Sequence, residues 1–295
     1  MKSTKKVLCV GLVCYDLVSV VDHFPIEDKK IRTQQQRRSR GGNASNMTTV
    51  LSHLNVPCEF LGSMPSDSTP ELTFVEEDFK LHKIPFSKCP RHQGYLLPNS
   101  CVILNTLSGS RTNLHTNDGL PELCAENLSS INMKHYNWIH IEGRQNAKEL
   151  TKIAKMVKEK HPNIPISLEI EQPARAHKDA LFRILPHIDL LFISKEVASS
   201  LGASSMKDAV YLLQDLLPLN ACIVCPWGEK GACGKDAKGS IFEVPCYPPP
   251  SGIRYSKFSN VPKILLNTRI LIKLSFHCHF PHRKSYRYTW RWRYL

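Results

Sequence analysis

No aspartate or glutamate occurs between Ser251 and Leu295, although that stretch holds ten Lys and Arg. The absence excludes a carboxylate base from the last 45 residues. No run of 18 apolar residues occurs, which excludes a membrane-spanning helix. The N-terminal "MKSTKKVLCVGLV" enters a strand-like run without the apolar region of a signal peptide, so a cytoplasmic location is expected. There is no internal repeat and no low-complexity segment. Cysteine is not scarce, with eleven in all, but most sit in apolar runs such as "VLCVGLVC" and "ACIVC". Buried free thiols in a reducing compartment account for them. Cys222-x-x-Cys225 has metal-like or redox spacing, yet it lies in a strand-like run and no second pair stands at a zinc-ribbon distance.

The net charge of +13 suggests a nucleic-acid or membrane partner until its position is considered. Without the last 45 residues the balance is 29 basic against 26 acidic, an ordinary soluble surface. Short, nearly continuous apolar runs fall at 6–13, 58–62, 138–143, 165–171, 189–194 and 221–227. Such runs read as strands buried on both faces. Helical periodicity lies between them: Asn43 to about Leu54, a segment from near Gln145, Ser194 to Leu201 closed by Gly202, and a stripe after Ser205 with Asp208 as a capping box. The alternation predicts an α/β fold with a doubly wound, mostly parallel sheet. Residues 16–24 with 30–40, and residues 100–116, break it. They read as antiparallel hairpins forming a small sheet over one end, a lid.

Within "RGGNASNMTTVLSHL" (40–54), two glycines permit a sharp turn and close approach. Asn43 then opens a helix, with Asn46 on the same face. Free N–H groups and the positive dipole end suit a polyhydroxylated ligand, although a plain Gly-Gly turn with an Asn cap fits equally. Asp16 follows the first strand, at the end where open α/β sheets bind ligands. Asp28 lies on the lid-like segment, and each aspartate alone reads as a turn residue at least as well. "CPWGEKGACGKDAKG" (225–239) is not a P-loop, because Glu229 stands where one would need glycine. Gly228-x-x-Gly231 would let backbone approach a nucleotide phosphate, while a β-hairpin turn explains it as well. Arg111 in "SGSRTN" offers a guanidinium for phosphates, or is simply a surface residue.

From about Lys6 to Pro250 the chain resembles the PfkB/ribokinase-type carbohydrate kinases, and within them the ketohexokinases. The resemblance rests on "LCVGLVCYDLVSVVD", "RGGNASN", "LGSM", "SGSRTN", "WIHIEGR", "LEIEQP", "FISKEVASSLG" and "WGEKGA", in that order. It implies a ribokinase-like fold: a central, mostly parallel sheet flanked by helices, with a β-sheet lid from about 14–40 and 98–117 that also makes a homodimer. It implies ATP- and Mg2+-dependent phosphorylation of D-fructose at its 1-hydroxyl, with K+ as an optional further cation. By the same resemblance Asp16, Asp28, Gly42, Asn43 and Asn46 fall at sugar-binding positions. Arg111 falls near the transferred phosphoryl, and Trp227, Glu229 and Gly231 in the nucleotide-side loop.

The family also carries a segment of the form D-T-x-G-A-G-D soon after the proline-rich connector. Its glycines open a helix that stabilises the phosphoryl in flight, and its last Asp is the base. Nothing after Pro250 matches, and no catalytic base is identified. Residues 1–250 therefore read as a C-terminally incomplete kinase domain, and 251–295 as a divergent basic tail. The tail reads as a nucleic-acid module ("RKSYRYTWRWRYL"), as a basic amphipathic membrane segment (264–276), or as the product of another reading frame, a retained intron or a misplaced exon. The third reading is preferred, because a segment of this length without acids is unusual for an evolved soluble protein. It argues against nucleic acid or membrane as partners. A catalytically impaired sugar kinase is the expectation. The alternatives are a non-catalytic binding or dimerising protein, or ribose or adenosine as substrate.

Overall fold

The computed structural model describes residues 5–172 and 183–246. The proline-rich connector and the basic tail lie outside the described residues. Eight strands form the main sheet: β1 (Lys6–Val10), β4 (Cys58–Leu61), β9 (Tyr136–Glu142), β10 (Ile166–Ile170), β11 (Leu190–Ile193), β12 (Cys222–Pro226), β13 (Ala232–Lys235) and β14 (Ile241–Val244). Their order is β14-β13-β12-β11-β10-β9-β1-β4. The first six in chain order pair in parallel, and β13 and β14 extend the sheet as antiparallel strands. All six apolar runs form these parallel strands, and their near-complete burial explains why they do not alternate.

Helix α1 (Asn43–His53) packs Ala44, Met47 and Leu51 on the β1–β4 half of one face. Helix α2 (Pro70–Leu81) joins it there through Leu72, Val75 and Phe79, with Phe79 stacked at 5.0 Å on both Phe60 and Phe86. α3 (Ala125–Ser129), α4 (Ala147–Lys160), α5 (Lys195–Ser200) and α6 (Met206–Gln214) carry apolar residues into the core on the opposite face. Ser194 and Ser205 cap α5 and α6 by accepting the N–H of Val197 and Asp208. A two-stranded parallel sheet, β5 (Met64–Pro65) with β6 (Arg91–His92), braces the loop around α2.

The lid is a separate sheet of β2 (Cys14–Val21), β3 (Gln35–Gly41), β7 (Asn99–Asn105) and β8 (Arg111–Thr116), in the order β3-β2-β7-β8. Two antiparallel hairpins form it, as the sequence predicts, and a parallel β2–β7 ladder joins them.

Two buried charged groups fasten α1 and the first strands in place. Arg40 donates to Asp78 (2.6 Å), to the Ser45 carbonyl (2.9 Å), to Thr49 (2.5 Å) and to the Ser45 hydroxyl. Its guanidinium lies 4.2 Å over the Phe79 ring, so one side chain ties β3, α1 and α2 together. Glu59, also buried, accepts from Lys6 (3.1 Å), Lys88 (3.1 Å) and the Tyr136 hydroxyl (3.0 Å). Burial alone would raise the Glu59 pKa, but these three partners outweigh it and hold the carboxyl below its ordinary value. A lowered folded-state pKa stabilises the fold above the unfolded value, and that contribution is lost as pH falls through the folded value. Glu59→Gln is therefore expected to flatten the fall in urea-unfolding stability below about pH 5. An unchanged acid slope in the variant would contradict this.

Candidate functional site

The site lies at the C-terminal ends of the parallel strands, where the chain leaves the main sheet for the lid and returns. β1 ends at Val10, Gly11 follows, and β2 then begins the lid. The return is through Gly41 and Gly42 into α1. Gly42 has φ 94°, and a Cβ on it would sit 2.2 Å from the Leu12 carbonyl oxygen. A Cβ on Gly41 would sit 2.3 Å from the Asp16 carboxylate. Only residues without a side chain let Asp16 lie this close to the start of α1.

Gly42 offers no side chain to cap α1, and Glu142 from the end of β9 supplies one. Its Oε2 accepts from the backbone N–H of Leu12 (2.9 Å) and of Ala44 (3.1 Å). Arg144 lies 3.4 Å from Oε1 and pairs with Glu122 at 2.6 and 3.0 Å. Burial alone would lower the Arg144 pKa, but the two glutamates raise it, so the guanidinium stays charged. Glu122 belongs to the segment returning from β8. Glu142 and Arg144 thus hold both lid crossings around β2 and β3 and the return from β8.

Asn43 and Asn46 are half-buried, while Ala44, Ser45, Met47 and Thr48 between and beyond them are buried. The two amides share the open face of the first turns. Asp16 is half-buried on the lid, accepting from the Cys14 thiol at 3.3 Å. Burial lifts its pKa above the ordinary aspartate value, against hydrogen bonds from Cys14 and Ser100 and the charges of Arg111 and His115. Arg111 opens β8 and is exposed, so its charge is within reach of Asp16 without a direct bond among those described. Asp28 is placed elsewhere. It sits exposed at φ 59° in the loop between β2 and β3, beyond the far end of β2 from Asp16.

Two residues at this edge, Glu142 and Glu171, are not among those the sequence singles out, although they lie within "WIHIEGR" and "LEIEQP". Glu142 closes "WIHIE", and an acid ending a buried parallel strand is the signal that marks it. Glu171, just past β10, accepts from Asn43 Nδ2 at 2.7 Å. Its carbonyl accepts from the Ser194 hydroxyl at 2.6 Å, at the cap of α5.

The next residue, Lys195, places its ammonium 5.7 Å from the Trp227 ring centroid. Trp227 is buried, and its N–H donates to the Gly231 carbonyl at 2.7 Å across a tight turn at Gly228–Lys230. The first part of the glycine-rich segment is thus the turn of the β12–β13 hairpin, and the rest forms β13 and the turn to β14. Gly231 has φ 92°, and a Cβ there would lie 2.0 Å from the Val244 carbonyl oxygen, so backbone passes backbone. Glu229 is exposed at the tip. Cys222 and Cys225 lie in β12 on opposite faces of the sheet, Cys225 in the larger core and Cys222 against Leu190, Phe192 and Val224. Burial pushes the Cys225 thiol up to about 12. The pair cannot chelate one ion from opposite faces. Among the described residues no three His, Cys, Asp or Glu converge as a metal-binding group. No helix of the described residues is long and apolar enough to cross a membrane.

A family model described as "pfkB family carbohydrate kinase" matches residues 4–251. The chain is 35% identical over 252 residues to a ketohexokinase of Mus musculus, covering 83% of this chain and 82% of that protein. In structure it is similar to a ribokinase from Giardia lamblia, with TM-score 0.75 and 17% identity, covering 92% of this chain and 84% of that one. It is also similar to an Arabidopsis thaliana ribokinase complexed with ribose and ATP, with TM-score 0.65 and 15% identity over 84% and 80% of the two chains.

Proposed function

Since the chain belongs to the pfkB family of carbohydrate kinases, and is of the ketohexokinase type within it, we propose that it binds D-fructose at the start of α1 and ATP beside the β12–β13 turn. Residues 1–250 form the kinase domain in this reading, and 251–295 a divergent segment outside the family pattern. The single observation that carries the sugar site is the convergence of Asp16, Gly42, Asn43 and Asn46 around a helix start capped by Glu142.

The chemistry follows from these groups. The Asp16 carboxylate accepts bonds from sugar hydroxyls, and the two amides both donate and accept. Asp28 belongs to the sugar set by resemblance, from an exposed loop that lies off the cluster. Backbone at Gly228 to Gly231 approaches the nucleotide, with Trp227 and Glu229 beside it, and Arg111 contributes positive charge to the phosphates. Magnesium, when bound, neutralises phosphate charge and is carried largely by the phosphates themselves. Transfer needs positioning, charge neutralisation and a base for the attacking hydroxyl. Residues 1–250 hold the first, while 251–295 contain no acid to serve as the last. The reading is therefore a sugar-binding kinase of impaired turnover, cytoplasmic and dimeric through the lid.

Equilibrium titration of the full chain with D-fructose, D-ribose and adenosine tests the assignment. Fructose is expected to bind tightest. Preferential binding of adenosine or ribose would replace fructose as the substrate, and no binding of any of the three would remove the sugar site.

A further inference from the structure

We infer that Glu171 is a positioning residue that fixes the side-chain amide of Asn43 in one orientation for the sugar, an inference that rests on the reading of α1 as the sugar site. An asparagine amide can present either its oxygen or its NH2 group to a neighbour, and a 180° flip exchanges them. A carboxylate accepts only. Facing Glu171 Oε2 at 2.7 Å, Asn43 must turn its Nδ2 toward it, which leaves Oδ1 on the other side as an acceptor.

Glu171 is well placed to impose this. Its backbone stands just past β10, and its carbonyl is held by the Ser194 hydroxyl. Ser194 is itself pinned, its N–H donating to the Ile170 carbonyl at 3.0 Å and its side chain capping α5. Asn43 is anchored from its other side by the Gly41–Gly42 turn and by the bond from Ala44 N–H to Glu142. Two rigid elements therefore meet across 128 residues of sequence through one charge-assisted bond. The bond lies in no secondary-structure ladder, and neither partner is part of the buried core, so what it fixes is a side chain at the proposed sugar site.

A glutamine at 171 keeps the shape but can donate as well as accept, so both amide orientations become available. Two measurements on the full chain test this. In the ligand-free protein labelled at asparagine, the Asn43 side-chain NH2 resonances are expected to be shifted downfield by the carboxylate and to lose that shift in Glu171→Gln. Titration with D-fructose is expected to show about three- to tenfold weaker binding in Glu171→Gln. In an Asn43→Ala background the same change is expected to have no further effect, because the group it orients is gone. A merely structural role would weaken binding equally in both backgrounds, and that result would overturn the inference. Asn43 resonances indifferent to Glu171→Gln would overturn it too. Absence of fructose binding by the unmodified chain, with the resonance shift present, would fault the sugar assignment and leave the Glu171–Asn43 coupling standing.

Discussion

In a coupled assay of ATP-dependent fructose phosphorylation, the 295-residue chain is expected to turn over about ten-thousand-fold slower than the murine ketohexokinase it resembles. By the family resemblance, two tasks fall to the segment after the proline-rich connector: stabilising the phosphoryl in flight and removing the proton of the attacking hydroxyl. Loss of one preorganised donor costs roughly a hundred- to a thousandfold, and loss of a general base costs a similar factor. The two act as a unit, so their losses do not multiply in full. No residue from 251 to 295 can replace the base, because none is acidic. Fructose binding by the same preparation separates lost chemistry from lost folding. Exchanging residues 251–295 for the corresponding segment of the murine enzyme is expected to restore turnover. Turnover by the original chain close to that of the murine enzyme would sink the reading.

Glu142→Ala is expected to remove fructose binding and to lower stability by about 3 kcal/mol. The carboxylate is buried and satisfies two backbone N–H groups, one at the exit from β1 and one in the first turn of α1. Each buried N–H left without a partner costs about 1–3 kcal/mol. Arg144 remains paired with Glu122, so the variant does not strand a lone charge, which keeps the cost nearer the lower end of the about 2–6 kcal/mol that two such groups give. Binding suffers because Leu12 and Ala44 fix the backbone that carries Asp16 and Asn43. Urea unfolding and calorimetric titration measure the two effects. A variant with the parental midpoint and affinity would show that Glu142 holds nothing at this site.

What could be read from the sequence differs in kind from what could not. The six parallel strands were legible because each is an unbroken apolar run, and burial on both faces leaves no other pattern. The α1 start was legible because "GGN" has local meaning: glycine conformations, then a helix. The N-terminus of α2 carries a local signal too, in Thr69, Pro70 and Glu71 ahead of Leu72, Val75 and Phe79, one absent from the sequence-based expectation. Glu142, Glu171 and Arg40 were a harder case. Their roles are defined by partners 98 and 128 residues away for the two glutamates and 38 for the arginine. A polar residue beside an apolar run carries no mark of which distant group it will meet. The glycine-rich segment 225–239 offered two meanings, a nucleotide loop and a hairpin turn. The structure shows that it is a hairpin, and a hairpin tip can still face a ligand.

The β2–β7 ladder joins the two hairpins of the lid across 84 residues of sequence. Its seven residue pairs join Tyr15 to Asn99 and onward to Val21 with Asn105, while the hairpins on either side close over far shorter loops. Between β3 and β7 the chain runs through α1, β4 and α2, all anchored on the main sheet. The two hairpins are therefore expected to meet after those elements have docked, since docking offsets the closure entropy of so long a loop. Within the lid, the β2–β7 ladder is consequently expected to form after the two hairpins and to part before them. Among the lid amides, those of the exposed edge strand β8 are expected to be the least protected in hydrogen exchange.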